Sequence, residues 1–277
     1  MSQPVPKVFI EGRYRKLTRD LPQTVFFCPK CKGHPRRRKG CEQCEGFGKL
    51  TKDSVQELVG WVAGKAFGTR KNKFHGAGRE DVDVRMLGPG RPFVLELLNP
   101  KTRDVDLAEL EAEINRRNEG RLEIRNLHWT EKARIRVVKE TPHAKRYGAL
   151  VGFESAPDPD TLAELAGRRV EVVQETPKRV AHRRAQLDRT RWIEFVSLRP
   201  ADDGDPTHWQ VELDTQHGTY VKEVLSGEGG RTRPSLGELS GTPCSCLALD
   251  VLEILGEEEK VEQLDRSRPP AFGAGLV

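Results

Sequence analysis

Two cysteine pairs constrain this chain more than any other feature. Cys28-Pro-Lys-Cys31 is followed, nine residues on, by Cys41-Glu-Gln-Cys44. In each CxxC pair the two thiolates can face one cation, and two pairs complete the closed tetrahedral four-sulfur site of a structural zinc ion. Two disulfides or four unrelated thiols fit less well, because the twin spacing argues against coincidence and a cytoplasmic chain disfavours disulfides. A zinc ion held by Cys28, Cys31, Cys41 and Cys44 is therefore expected, with residues 1–50 as a knuckle segment ahead of a larger domain over 51–277. The basic insert His34-Pro-Arg-Arg-Arg-Lys39 lies between the pairs, where it can meet phosphates. Cys244 and Cys246 share a face of a candidate strand and read as ordinary packed thiols.

The 277 residues allow one large domain or two modest ones. No apolar run approaches the roughly 18 residues of a membrane helix, so a transmembrane span is excluded. The N-terminus has no apolar block ahead of a small-residue cleavage site, which leaves a cytoplasmic location as the expectation. Lys and Arg number 47 against 42 Asp and Glu, a net charge of +5 that is weak evidence by itself. Its distribution is more informative. Basic clusters at 36–39, 70–73, 178–184 and 231–233, mostly in Gly- or Pro-containing turns, favour a polyanionic partner.

Helix signals come first in the larger segment. Ser54 and Glu57 form an S-x-x-E capping box, and Val55, Leu58, Val59 and Val62 recur on one helical face. Asp106 opens a second helix with Leu107, Leu110 and Ile114 on one side. Residues 81–85 alternate acid and valine and read as a short strand with Asp81 and Asp83 on a common face; 92–98 reads as another. Further strands are expected at 121–129, 133–140, 147–154, 169–175, 191–199, 208–215 and 245–254, with helical pieces at 160–168 and 219–225. Helices do not alternate regularly with strands, so a doubly wound parallel sheet is disfavoured. The pattern fits an α+β fold on a large mixed, mainly antiparallel sheet flanked by helices. Nucleotide-cofactor motifs fail: Gly76 and Gly78 lack a third glycine and a following helix, and GFGKLT at 46–51 lacks the GK[ST] of a phosphate-binding loop.

The segment GREDVDVRMLGPGRPFVLELLNP at 78–100 resembles the catalytic-aspartate motif of the archaeal and eukaryotic tRNA pseudouridine synthases that modify the T-loop. KRYGALV at 145–151, TPKRVAHRR at 176–184 and GTYVKEVLSGEGGRTRPSLGEL at 218–239 follow in the family's order, and GRYRKLTRDLPQT at 12–24 precedes them. The resemblance implies a pseudouridine synthase catalytic fold that isomerises uridine-54, uridine-55 or both. It implies that Asp81 is the catalytic carboxylate, with Asp83 as fallback. Tyr147 becomes the ring that stacks on the base, and Lys222 the cation that keeps the aspartate ionised. Val221 and Leu249 take apolar positions lining the base pocket, while Arg79, His182, Arg183, Arg184, Arg231 and Arg233 become substrate contacts. Without the resemblance, Tyr147 reads as a packing residue and Lys222 as an exposed helix lysine.

The implied partner is tRNA with its target uridine flipped out of the loop, bound by a monomer that needs no membrane and no nucleotide cofactor. Family members usually carry an RNA-binding domain ahead of the cysteine motif, whereas this chain begins almost at the motif, so it is expected to be either a fragment of a longer protein or a protein that works without that domain. Two other readings are a pseudouridine synthase with another RNA target and a non-catalytic zinc-containing RNA-binding module. A pure binder has no use for Asp81, Tyr147 and Lys222 together.

Overall fold

The computed structural model describes residues 7–183 and 185–256, without the side chains of 182 and 183. The described residues divide into two compact units, the first up to residue 141 and the second from residue 142. Strands and helices are intermingled in both units, giving the expected α+β class. Among the described residues no helix is long and apolar enough to cross a membrane.

In chain order the first unit carries β1 (Val8–Lys16), α1 (Pro35–Arg38), α2 (Val55–Ala66), β2 (Lys71–Gly76), β3 (Arg85–Leu98), α3 (Leu107–Arg117), β4 (Leu122–Thr130) and α4 (Arg134–Glu140). The ladders run β4–β1–β3–β2, and each is antiparallel. β1 turns Val8, Ile10, Tyr14 and Lys16 inward with the period of two of a strand. It lies within the first fifty residues yet sits between β3 and β4, strands from beyond residue 50. Val55, Leu58, Val59 and Val62 of α2 are buried as their spacing predicts. Ser54 caps the helix by accepting from the Glu57 backbone N–H at 3.2 Å, and its hydroxyl donates to the Glu57 carboxylate at 2.8 Å. Asp106 accepts from the N–H groups of Ala108 and Glu109 and so starts α3, whose Leu107, Leu110 and Ile114 are buried.

Two expectations are corrected here. Residues 133–140 are helical, not extended: Val138 and Ile135, three apart, share a helical face that packs on Ala77 and Val94, and this contact overrides the β-branched composition. Residues 81–84 are a turn rather than a strand, closed by a hydrogen bond from Val84 N to Asp81 O at 3.2 Å. Asp81 is half-buried and Asp83 exposed, so the two acids do not share an environment.

The second unit carries β5 (Lys145–Phe153), α5 (Pro159–Leu165), β6 (Arg169–Gln174), β7 (Arg189–Pro200), β8 (His208–Thr215), α6 (Val221–Ser226), β9 (Thr232–Arg233), α7 (Leu236–Leu239) and β10 (Cys244–Ile254). Its ladders run β10–β5–β8–β7–β6–β9, again antiparallel. Buried Val211 and Leu213 of β8 pair with Ala149 and Tyr147 of β5, which puts the apolar face of the sheet at its centre. Cys244 is buried and donates to Leu225 O at 3.2 Å, and burial pushes its thiol up to about 12. It is an inert packed thiol, as its place on the strand suggests.

Candidate active site and metal centre

The four cysteines of the paired motif converge. Their sulfurs all lie within 4.8 Å of one another, with Cys28 and Cys41 at 3.8 Å and Cys31 and Cys44 at 3.7 Å. Four thiolates bonded at about 2.3 Å to one tetrahedral ion stand about 3.8 Å apart, whereas a disulfide needs about 2.05 Å. The donor set therefore fits a metal ion and not a pair of disulfides. The Gly48 backbone N–H points at Cys44 Sγ at 3.1 Å, a contact suited to a thiolate. The N–H groups of Cys31 and Lys30 draw the Cys28 thiol down to about 7, while burial pushes Cys31 up to about 11. A cation bound among them would hold all four sulfurs deprotonated together.

Between residues 24 and 50 the four cysteines and Gly48 are the buried residues, so the cysteine cluster is the core of this segment. Its base is closed by Val55 N to Pro22 O at 2.9 Å and Gln56 N to Gln23 O at 3.0 Å. The knuckle is thus a loop inserted between two points that already touch. α1 projects from it with Arg36, Arg37 and Arg38 exposed, beside exposed Lys39.

Asp81 sits in the turn between β2 and β3, and a buried polar network fixes the backbone around it. The Lys16 ammonium, fully buried, donates to three carbonyls: Leu21 O at 2.8 Å, Asp81 O at 2.9 Å and Val82 O at 2.9 Å. That uses every N–H the ammonium has. Glu80 forms a buried pair with Arg91 at 2.9 Å and accepts from the Tyr14 hydroxyl at 2.9 Å. Arg91 in turn donates to Ala77 O at 2.7 Å, and Gln23 donates to Gly78 O and to the Tyr14 hydroxyl, both at 2.8 Å. The glycines of this stretch now have a structural reason. A Cβ on Gly76 would stand 2.6 Å from the Gln23 amide, and Gly78 adopts φ +80°. Nothing in the sequence pattern singled out Lys16, Gln23 or Arg91; a lysine at an inward position of a strand was the available signal. Arg79 lies exposed in the same loop.

Burial pulls the Lys16 pKa down to about 8, with Glu80 the largest opposing influence. The unfolded lysine keeps its proton up to about 10.5, so between those values the unfolded chain binds the extra proton and this group's contribution to stability rises with pH. Below about 8 both states are protonated and the contribution is flat. Lys16→Met should be less stable than the parent at about pH 7, because three buried carbonyls lose their donor, and should lack the alkaline rise. Denaturant midpoints of both proteins at about pH 7 and pH 10 check this. Parallel changes in the two proteins would refute it.

In the second unit, Tyr147 of β5 is half-buried and pairs with Val251 of β10, while Ala149 pairs with Leu249. Paired residues point to the same side and the register is unbroken here, so Tyr147 and Leu249 are diagonal neighbours on one face. Val221 and Lys222 open α6, Val221 buried and Lys222 half-buried. A lysine in the first turn works against the helix dipole, so helix stability does not account for it. Tyr220, just before them, is held by Gln174: Tyr220 N donates to its Oε1 at 2.9 Å and its Nε2 donates to Tyr220 O at 3.0 Å. Glu223 pairs with Arg179, from the short turn of helix at 178–183, at 2.6 Å. The basic loop and the Lys222 helix are therefore bound to each other.

Arg231 donates to Thr176 O at 2.8 Å and pairs with Glu175 at 2.9 Å, bracing that loop from the other side. Arg233 is 69% exposed, with Glu238 no nearer than 3.8 Å. The side chains of His182 and Arg183, and Arg184 altogether, lie outside the described residues.

Residues 9–255 match the family described as Pus10, C-terminal. The chain belongs to that family. It is 45% identical over 253 residues to the tRNA pseudouridine synthase Pus10 of Korarchaeum cryptofilum, covering 90% of this chain and 66% of that protein. It is likewise 45% identical over 257 residues to the Pus10 synthase of Methanopyrus kandleri, covering 91% and 57%. The chain thus spans about three-fifths of the length of these Pus10 relatives. Among solved structures, a chain of a Cbf5-Nop10-Gar1 complex is similar with a TM-score of 0.39 at 18% identity, over 71% of this chain and 44% of that one.

Proposed function

We propose that this chain is the catalytic part of a tRNA pseudouridine synthase and isomerises uridine-54, uridine-55 or both in the T-loop. The observation that carries the reading is the family match over 9–255, a span that holds Asp81, Tyr147 and Lys222 at their motif positions. The reaction breaks the C–N glycosidic bond, turns the detached uracil, and joins its C5 to the same sugar carbon while the C5 hydrogen leaves as a proton. It needs one carboxylate placed with care and no external oxidant or phosphoryl donor.

Asp81 supplies that carboxylate, as nucleophile at the sugar or base or as base at the sugar C2′. Support comes from its loop, whose backbone is clamped by Lys16 on the two carbonyls at the site of chemistry. Lys222 compensates the aspartate charge, and its first-turn position, unfavourable for helix stability, is consistent with that second use. The Tyr147 ring stacks on the uracil and keeps it from escaping, and its hydroxyl helps remove the C5 proton. Val221 and Leu249 give the base an apolar wall. Arg79, Arg233 and the loop at 178–184 meet phosphates, and Arg231 braces that loop.

The metal at Cys28, Cys31, Cys41 and Cys44 is zinc in this reading; it supplies folding energy to the knuckle and takes part in no chemical step. The protein acts as a monomer in the cytoplasm on a uridine flipped out of its loop.

Incubation with unmodified tRNA transcripts, followed by mapping of pseudouridine by chemical probing, tests the reading. Modification at position 54 or 55 is expected. Modification confined to other RNA positions contradicts the T-loop assignment, and none anywhere contradicts the activity.

A further inference from the structure

The basic cluster at 70–73 takes no part in the chemistry above, and in the fold it borders a groove. This groove, about 900 Å3, runs in the first unit between the second half of α2 and the start of β2. Trp61 stands on the α2 wall and is 58% exposed, while Trp129 and Trp209 are 8% and 6% exposed. Lys65 follows one helical turn later on the same wall. Arg70 and Lys71 face the groove from the β2 side, with Lys101 at its end.

These four cations are exposed, and among the described residues none has a carboxylate within ion-pair reach. The groove's one acid, Glu57, is taken by Lys49 at 2.7 Å. The walls stand close because α2 carries glycine where β2 approaches: a Cβ on Gly60 would lie 2.5 Å from the Asn72 side-chain amide. Unneutralised like charges repel and gain nothing for the free protein, and an exposed indole beside them gains nothing from water. An RNA strand satisfies both, with phosphates on the cations and an unpaired base stacked on the indole.

We infer that this groove is a second RNA-contact site, which holds an unpaired stretch of the tRNA with one base on Trp61 and the adjoining phosphates on Lys65, Arg70 and Lys71. The inference rests on the proposed tRNA substrate and adds a contact surface outside the catalytic residues. An acidic protein segment is the competing occupant, but it has no base to stack.

Fluorescence anisotropy titrations with an unmodified tRNA transcript, repeated over a range of salt, test it. Trp61→Ala should weaken binding about tenfold and Trp61→Phe should keep most of the affinity, because a smaller ring still stacks. The double variant Arg70→Ala, Lys71→Ala should lower the slope of log affinity against log salt by roughly 1.5. Quenching of tryptophan emission by tRNA should be largely lost in Trp61→Phe. All variants should make pseudouridine at the parent rate once tRNA is saturating.

Parent-like affinity in Trp61→Ala, or an unchanged salt slope in the double variant, overturns the groove and leaves the acidic segment as its occupant. A parent protein that binds tRNA with these dependences but makes no pseudouridine sinks the enzymatic reading alone.

Discussion

Asp81→Asn should bind tRNA as the parent does and fail to convert it. The substitution keeps the size and shape of the side chain while removing its charge and its basic lone pairs. The Lys16 clamp grips the backbone carbonyls of Asp81 and Val82, and the substitution leaves both of those bonds in place. The basic clusters that meet phosphates are untouched, and phosphate contacts dominate affinity. Initial rates of product formation should therefore fall by roughly 10²- to 10⁴-fold or more, with little change in Kd. Asp83→Asn is the internal control: its side chain is exposed, and Arg19 holds its backbone carbonyl at 3.1 Å. If Asp83→Asn is dead while Asp81→Asn works, the catalytic assignment moves by two residues. If neither matters, the chain is not the enzyme proposed.

Loss of the metal should melt the knuckle and spare the rest of the first unit. Its buried centre is four cysteines, and four sulfurs within 4.8 Å of one another have no other buried side chains in their cluster to replace a cation. Structural zinc sites of this type contribute roughly 10–16 kcal/mol, more than so small a segment gains from any other source. The segment is closed at its base by backbone bonds at Pro22 and Gln23, so its unfolding need not open β1 or α2. Purified, reduced protein should hold one zinc per chain by elemental analysis. Chelation should raise amide exchange across residues 24–50, weaken tRNA binding through loss of the Arg36, Arg37 and Arg38 placement, and leave turnover at saturating tRNA nearly intact. Zinc-free protein with the knuckle still protected would refute the metal reading.

The sequence was readable where side-chain period and burial agree. β8 occupies the residues its alternation predicts, and α2 and α3 bury the apolar positions their spacing marks. β1 and β2 were hidden because charged residues occupy their pattern: Lys16 and Glu11 are buried in β1, and β2 reads KNKFHG. A buried lysine is legible only once its three carbonyl partners are known, and those come from positions 5, 65 and 66 residues away. α4 misled because Val137, Val138 and Ile135 favour strands locally, whereas packing on Ala77 and Val94 selects the helix. The acid–valine alternation at 81–84 misled for the converse reason. The same network that presents Asp81 bends the chain into a turn there. The convergence of the four cysteines was legible from spacing alone, since two CxxC knuckles have few ways to satisfy four thiols.

The central claim is that a uridine C5–H bond breaks while its carbon is joined to the sugar. Tritium release from tRNA transcripts made with uridine labelled at C5 measures that event, because the C5 hydrogen must leave as the new bond forms. One tritium per converted T-loop uridine should appear in water with the parent protein, and replacing uridine-54 and uridine-55 together by cytidine should abolish it. Tight tRNA binding with the label retained would contradict the claim.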